Sequence, residues 1–168
     1  MHLNAMTDLF PELLQELYSA EVQMTRALPR MAARASSDSL RAAFLNHLVE
    51  TQGHVARIEY ALSQLGVPSE GRVCEPVAAM IDAGDDIVDA QGDPDVIDAA
   101  LAGAAQRVEH FEIASYATVA EMAYLLGRSE LSTLLHETLD EERNADQRIS
   151  EILALEINPR AFVWYAAS

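Results

Sequence analysis

The stretch "LLHETLDEERNADQRISEIL", residues 134–153, predicts a helix whose apolar side is interrupted by acids. At about 100° per residue its apolar side chains fall on one stripe, which is the pattern of a helix packed against other helices. With the residues just before it, this stripe carries Leu131, Leu135, Thr138, Leu139, Ile149 and Leu153. In its middle, however, the inward positions belong to Glu142, Ala145 and Asp146. Burying an ionised carboxylate is costly, so the two acids need a partner inside the protein.

The same periodicity predicts four long helices along the chain. Their expected bounds are about 8–36, 38–65, 94–127 and 129–157. Gly66 favours a stop after the second helix, and Asp93 followed by Pro94 is typical of a helix start. No segment alternates apolar and polar residues for long enough to predict a strand. We therefore expect an all-α protein.

The connection between the second and third helices, residues 66–93, is long and holds most of the glycine and proline. It contains one short helical piece near 76–89. The other two connections are short, so each should join two antiparallel helices. The prediction is a ferritin-like four-helix bundle of two antiparallel helix hairpins, joined by a long crossover that carries a short helix. The whole chain, 1–168, is expected to form a single domain.

An internal repeat supports this arrangement. A shift of 91 residues places the first helix on the third and, at the same time, the second helix on the fourth. The matched pairs include Glu21 with Glu112, Glu50 with Glu141, and Arg57 with Arg148. Because two helix pairs share one offset, the chain reads as two copies of one helical hairpin.

Composition excludes several classes of partner. The net charge is −16, from 27 acidic and 11 basic residues, which argues against binding nucleic acid or an anionic membrane surface. No apolar run approaches the roughly 18 residues of a membrane helix, and the start carries no secretion signal. Cys74 is the only cysteine, so no intramolecular disulfide is expected. These features predict a cytoplasmic protein.

Polar side chains are predicted to point inward from all four long helices at one level of the bundle. Glu21 and Glu112 do so on the first and third helices, and His54 lies on the apolar stripe of the second. Several carboxylates in one buried layer cannot all stay charged without cations. Five of them give a charge of about −5, which two divalent metal ions would nearly balance. The predicted metal ligands are Glu21, Glu50, His54, Glu112, Glu142 and Asp146.

Other residues near this level of the bundle are interpreted without a role in metal binding. A single inward glutamate often forms only an interhelical salt bridge, and His47 is interpreted as a core or interface histidine. Tyr18 and Tyr116 are interpreted as packing residues beside Glu21 and Glu112, with a hydrogen bond to a ligand as the alternative. Glu109, Glu137 and Glu141 are interpreted as flanking or solvated residues. Glu141 and Glu142 remain alternatives as the ligand, because a choice between neighbours depends on the rotation of the helix.

Four segments together resemble a known family. They are "ELYSAEVQ" at 16–23, "HLVETQGHVARIE" at 47–59, "VEHFEIASYATV" at 108–119 and "TLDEERNADQRI" at 138–149. Over residues 7 to about 157 the chain resembles the YciE/YciF-like bacterial stress proteins of the ferritin-like superfamily. The resemblance implies a four-helix bundle with a dinuclear iron or manganese site, usually in a homodimer, and no settled enzymatic activity.

The chain departs from the general ferritin-like signature, which places Glu-x-x-His on two helices. The residue three positions after Glu50 is Gly53, and the residue three positions after Glu142 is Ala145. The sequence suggests instead a displaced spacing, Glu50-x-x-x-His54 and Glu142-x-x-x-Asp146. Such a carboxylate-rich set favours manganese, iron or magnesium over zinc or copper.

Two classes of function are compatible with these residues. One is an oxidoreductase-type dinuclear site that reacts with O2 or peroxide. The other is a non-enzymatic, dimeric, metal-stabilised scaffold or metal-sequestering protein. An iron-storing cage is less favoured, because only the short apolar tail 157–168, interpreted as a docking segment, follows the fourth helix. No organic-cofactor loop and no nucleophile beside a base is present, so no catalytic residue is assigned.

Overall fold

The computed structural model describes residues 3–162 of the chain, which are helical with short connections. The elements are α1 (Met6–Arg34), α2 (Asp38–Leu65), α3 (Glu75–Val88), α4 (Pro94–Leu125), α5 (Ser129–Ile152), a π-helical turn (Leu153–Ile157) and α6 (Asn158–Ala161). Part of the predicted docking tail, residues 163–168, lies outside the described residues. None of the described helices is both long and apolar enough to cross a membrane.

Local chemistry explains where the long helices begin and end. The Ser37 hydroxyl accepts the backbone N–H of Leu40 at the start of α2, and the Asp93 carboxylate caps α4. At the end of α2, Gly66 takes φ 69°, a left-handed conformation that glycine adopts without a steric penalty. The fourth long helix reaches Ile157 as expected, but its last turn is π-helical and α6 follows it.

The helices pack as two hairpins, which confirms the predicted ferritin-like bundle. α1 packs mainly on α2, and α4 packs mainly on α5. Across the bundle, α2 contacts α5 and α1 contacts α4. The crossover helix α3 lies against both α1 and α4. Each long helix therefore turns one side toward the same interior.

A polar layer divides the apolar core into two clusters. One cluster surrounds Leu28, Phe44 and Leu101, and the other surrounds Phe10, Leu62 and Leu135. The buried polar residues that belong to neither cluster include Glu21, His47, Thr51, His54, Glu109, Glu112 and Glu142, each at most 3% exposed. The interior of the bundle thus carries charge at its centre and apolar packing on both sides.

Candidate metal centre

Helical spacing brings the polar layer together. His47, Thr51 and His54 are separated by four and three residues on α2, so they share one side of the helix. Glu109 and Glu112 are likewise three residues apart on α4. α1 contributes Glu21 and α5 contributes Glu142, both on the buried side of the helix. All four long helices therefore build the layer, as the sequence predicted.

The potential ligand atoms form two groups that share one carboxylate. The His47 group consists of His47, Glu109, Glu112 and Glu142, and the His54 group consists of Glu21, His54 and Glu142. Within each group one ligand atom of every residue lies within 4.8 Å of the others. Glu142 Oε2 is 3.6 Å from His47 Nε2, and Glu142 Oε1 is 2.8 Å from His54 Nδ1. Glu142 is therefore placed to bridge two neighbouring cations.

Most of these ligand atoms lack a hydrogen-bond partner within residues 3–162. They are both oxygens of Glu109, Glu112 and Glu142, Oε2 of Glu21, Nε2 of His47 and Nδ1 of His54. The ring nitrogens approach carboxylate oxygens closely, but not in hydrogen-bond alignment. Leaving a buried polar group unpaired costs about 1–3 kcal/mol, and more for a charged group. Unpaired donor atoms that converge in this way fit a bound cation.

Burial and the repulsion between neighbouring carboxylates raise the pKa values of the acids in the layer, so these groups keep their protons to a higher pH. Burial raises the pKa values of Glu21 and Glu142, and raises that of Glu112 well above the usual range. Burial lowers the pKa of His54, but the carboxylates of Glu142 and Glu21 outweigh it and raise the value to about 10. Without metal, protons therefore supply part of the positive charge that the layer requires.

Each histidine is held from outside by a carboxylate. His47 Nδ1 lies 3.3 Å from Glu50 Oε2, and His54 Nε2 lies 2.8 Å from Glu141 Oε2. Hydrogen bonds of this kind set the tautomer and the ring orientation of a metal-binding histidine. They leave His47 Nε2 and His54 Nδ1 facing the layer.

Arginine supports both outer carboxylates. Arg148 Nη2 donates to Glu50 Oε2 at 2.6 Å, and Arg57 Nη2 donates to Glu141 Oε1 at 2.9 Å. The hydrogen bonds from Arg57 lower the pKa of Glu141. Burial raises the pKa of Glu50, but His47 and Arg148 outweigh it and lower the value. The 91-residue shift places Glu50 on Glu141 and Arg57 on Arg148. The two Arg–Glu pairs are therefore equivalent under the internal repeat.

The structure brings together four of the six predicted ligands: Glu21, His54, Glu112 and Glu142. Of the alternatives Glu141 and Glu142, it places Glu142 in both groups. Glu50 and Asp146 lie outside the two groups, contrary to expectation. Glu50 is turned toward Arg148, and Asp146 Oδ1 accepts a hydrogen bond of 3.0 Å from Gln106. Both occupy the edge of their helical stripe, where a small rotation directs the side chain to an interhelical partner.

His47 and Glu109 enter the layer although the sequence did not assign them as ligands. His47 is 3% exposed and Glu109 is fully buried, so the interpretation of Glu109 as a flanking residue was wrong. His47 Nε2 is 3.2 Å from Glu109 Oε1. Glu109 precedes Glu112 by one turn of α4, and this spacing was the available signal.

The buried residues of α2 and α5 can also be compared with the Glu-x-x-His signature at other positions. On α2, Thr51-x-x-His54 has threonine at the glutamate position, and on α5 Glu142-x-x-Ala145 has alanine at the histidine position. One carboxylate and one imidazole are thereby lost from the general set. His47, one turn before Thr51, supplies an imidazole, and Glu109 supplies a carboxylate. The donor set is thus rearranged among the helices.

The two tyrosines beside the layer have different roles. The Tyr116 hydroxyl donates to Glu21 Oε1, and burial raises the pKa of Tyr116 well above its usual range. Tyr116 therefore remains a hydrogen-bond donor that orients Glu21. The Tyr18 hydroxyl instead donates to Glu59 at 2.9 Å, outside both groups.

Comparison with known proteins identifies relatives over nearly the whole chain. The family model for a domain of unknown function, DUF892, matches residues 5–162. The chain is 37% identical to protein YciF of Escherichia coli strain K12 over 162 residues, which cover 96% of this chain and 98% of YciF. The crystal structure of this E. coli stress protein superposes with a TM-score of 0.88 at 36% identity, covering 93% of this chain and 99% of that one.

Two further solved structures share the architecture. YcfI of Rhodopseudomonas palustris has a TM-score of 0.84 at 34% identity and covers 88% of this chain and 94% of its own. A ferritin-like diiron-carboxylate protein of Bacillus anthracis has a TM-score of 0.69 at 18% identity, covering 90% of this chain and 99% of its own. At this low identity, the second similarity supports the fold alone.

Proposed function

Because the chain belongs to the DUF892 family and is 37% identical to the E. coli stress protein YciF, we propose that it is a metal-binding stress-response protein with a dinuclear centre. One ion is held by the His47 group and the other by the His54 group. Glu142, which belongs to both groups, would contribute to holding both ions. The observation that carries this proposal is the pair of fully buried groups of unpaired ligand atoms that share this one carboxylate.

Charge balance supports two divalent ions. The two groups contain four carboxylates, Glu21, Glu109, Glu112 and Glu142, and two imidazoles. Four ionised carboxylates carry the charge that two divalent cations neutralise. The outer carboxylates of Glu50 and Glu141 do not disturb this balance, because Arg148 and Arg57 pair with them. A layer loaded with two ions is therefore close to neutral, which suits its apolar surroundings.

The donor types favour iron or manganese. Carboxylate oxygens and imidazole nitrogens suit Fe(II) and Mn(II), whereas a site for Cu(I) would contain thiolate or thioether sulfur. Cys74, the single cysteine, belongs to neither group and precedes α3. When bound, such a pair of ions supplies redox chemistry toward O2 or peroxide. The chain's own part is to hold the ions, orient the histidines through Glu50 and Glu141, and exclude bulk water through the two apolar clusters.

The test is the metal content of purified protein after anaerobic loading with Fe(II) or Mn(II) and gel filtration. We expect two ions per chain in the parent protein. Glu142→Gln should lose both, because it removes the shared charge. Glu109→Gln should lose one, because it changes only the His47 group. Glu151→Gln, an exposed change on the same helix as Glu142, is the matched control and should keep both.

Two outcomes would contradict the dinuclear centre: a parent protein that takes up neither metal, or Glu142→Gln retaining two ions. Oxygen and peroxide consumption by the Fe(II)-loaded protein then separates the two functional classes. Consumption above that of free Fe(II), abolished in Glu142→Gln, identifies an oxidoreductase. Two firmly bound ions without consumption identify the metal-stabilised or metal-sequestering protein.

A further inference from the structure

The two groups differ in the number of residues that could bind a metal ion. The His47 group has four residues and the His54 group has three, with Glu142 counted in both. Manganese favours about six donors in octahedral geometry. Even if Glu21 binds through both oxygens, the His54 group provides four donors. These residues would therefore leave coordination positions on a metal ion open to small ligands from solution.

Thr51 carries a buried hydroxyl one turn of α2 away from both histidines of the layer. It is 0% exposed and lies between His47 and His54 on the inward side of α2. Its Oγ1 has no hydrogen-bond partner within the described part of the chain. A polar atom in this position needs a partner, since its burial without one is unfavourable.

Comparison with other helical threonines makes Thr51 unusual. A threonine inside a helix commonly bonds the carbonyl oxygen four residues earlier. Thr118 does so at 2.9 Å and Thr133 at 3.1 Å. The Thr51 hydroxyl makes no such bond to its own helix among residues 3–162. Its donor and acceptor capacity is therefore available to a ligand in the layer.

The internal repeat relates Thr51 to the shared carboxylate of the layer. The 91-residue shift places Thr51 on Glu142, the carboxylate that both groups share. Threonine is shorter than glutamate, and its hydroxyl can donate as well as accept a hydrogen bond. The first hairpin thus offers a hydroxyl where the second offers a carboxylate.

We propose that Thr51 Oγ1 is the hydrogen-bond partner of a small oxygen or anionic ligand, of the size of hydroxide or azide, that completes coordination at the His54 group. This inference rests on the proposed dinuclear centre. It assigns to Thr51 the role of holding an exogenous ligand, while Glu21, His54 and Glu142 hold the ion.

The experiment is a titration of the Co(II)-loaded protein with azide, followed by visible absorption. Thr51→Val removes the hydroxyl at nearly constant shape, and Thr51→Ser keeps it. With two Co(II) ions per chain in all three proteins, Thr51→Val should bind azide about tenfold more weakly than the parent. Thr51→Ser should restore binding to near the parent value.

A second measurement does not depend on metal. In the metal-free protein, Thr51→Val removes an unpaired buried hydroxyl, so its melting temperature should rise relative to the parent. A fall would indicate that the hydroxyl bonds protein atoms, which would overturn the inference.

The outcomes separate this inference from the proposal on which it rests. A parent protein without bound Co(II) would overturn both. Unchanged azide affinity in Thr51→Val with two ions bound would overturn only the role of Thr51. Loss of Co(II) from Thr51→Val would also overturn it, because Thr51 would then support the ion itself. A parent protein that binds two ions and shows no response to azide would contradict the exogenous ligand.

Discussion

Glu142 faces both histidines of the polar layer through its two oxygens, and neither oxygen has a hydrogen-bond partner in the described range 3–162. A carboxylate in this position is either protonated or bound to cations, and burial raises its pKa. The same helix carries Glu141, the next residue, in a different environment. Glu141 is about one-third exposed and pairs with Arg57. Two adjacent glutamates thus have separate roles, one inside the layer and one supporting it.

The support from Glu141 can be tested by substitution. Glu141→Gln removes the charge that holds His54 Nε2 and that Arg57 neutralises. Loss of such an outer carboxylate typically weakens metal binding by about 10–100-fold. We expect the affinity for Mn(II), measured by competition with a chelator, to fall by about tenfold or more. Glu137→Gln, an exposed change on the same helix, is the control and should leave the affinity unchanged.

At the scale of the helices, apolar periodicity predicted the long elements well. The stripe on α5 places Leu135, Leu139 and Ile149 in the core, and Glu142 in the middle of that stripe is buried with them. Residues at the centre of a stripe stay inward under any small rotation of the helix. The sequence could therefore predict that Glu21, Glu112 and Glu142 come together.

Residues at the edge of a stripe were harder to predict. Successive residues differ by about 100°, so a modest rotation of the helix exchanges which edge residue faces inward. Glu50 was expected to be a metal ligand, and His47 was expected to be a core or interface histidine. In the folded bundle, His47 faces Glu109 while Glu50 reaches Arg148 on α5. The rotation depends on contacts among all the helices, which no single segment of sequence contains.

The two hairpins are also joined by hydrogen bonds at the turn between α1 and α2. Asp98 on α4 is fully buried and accepts the backbone N–H groups of Ser36 and Ser37, at 2.9 and 2.7 Å. These amides lie at the start of α2, so one carboxylate ties the second hairpin to the turn of the first. The contact positions α2 relative to α4, and hence His47 relative to Glu109.

Removal of this tie has an expected cost. Asp98→Ala leaves the backbone N–H groups of Ser36 and Ser37 without their acceptor, and that of Ser37 is buried, so the free energy of unfolding should fall by about 2 kcal/mol. Urea denaturation of the metal-free protein measures the change, with the exposed Asp82→Ala as control. An unchanged unfolding midpoint for Asp98→Ala would mean that other groups satisfy these amides.

For the molecule as a whole, the polar layer links stability to pH. The native layer raises the pKa values of Glu21, Glu112, Glu142 and His54, so the folded apoprotein binds more protons than the unfolded chain. Stability from such groups is present below their unfolded pKa values and is lost as the pH rises through the folded ones. For His54 this loss extends from about 6.5 to about 10.

We therefore expect the metal-free protein to lose stability as the pH rises from about 5 to about 9. Bound divalent ions replace these protons, so the loaded protein should be more stable and should lose less stability over the same range. Chemical denaturation of both forms at three pH values in this range tests the expectation. An apoprotein that becomes more stable toward high pH would contradict it.

The sequence also predicted a homodimer and a cytoplasmic location, and both stay predictions.

The two hairpins of the internal repeat contribute different residues to the polar layer. The first hairpin provides one carboxylate and both histidines, and the second provides three carboxylates and no histidine. A symmetric pair of first hairpins would offer two carboxylates to the layer, and a symmetric pair of second hairpins would offer six. Only the unlike pair offers four. The number of carboxylates in the layer therefore depends on the two hairpins being different, and exchanging either one for a copy of the other would change it.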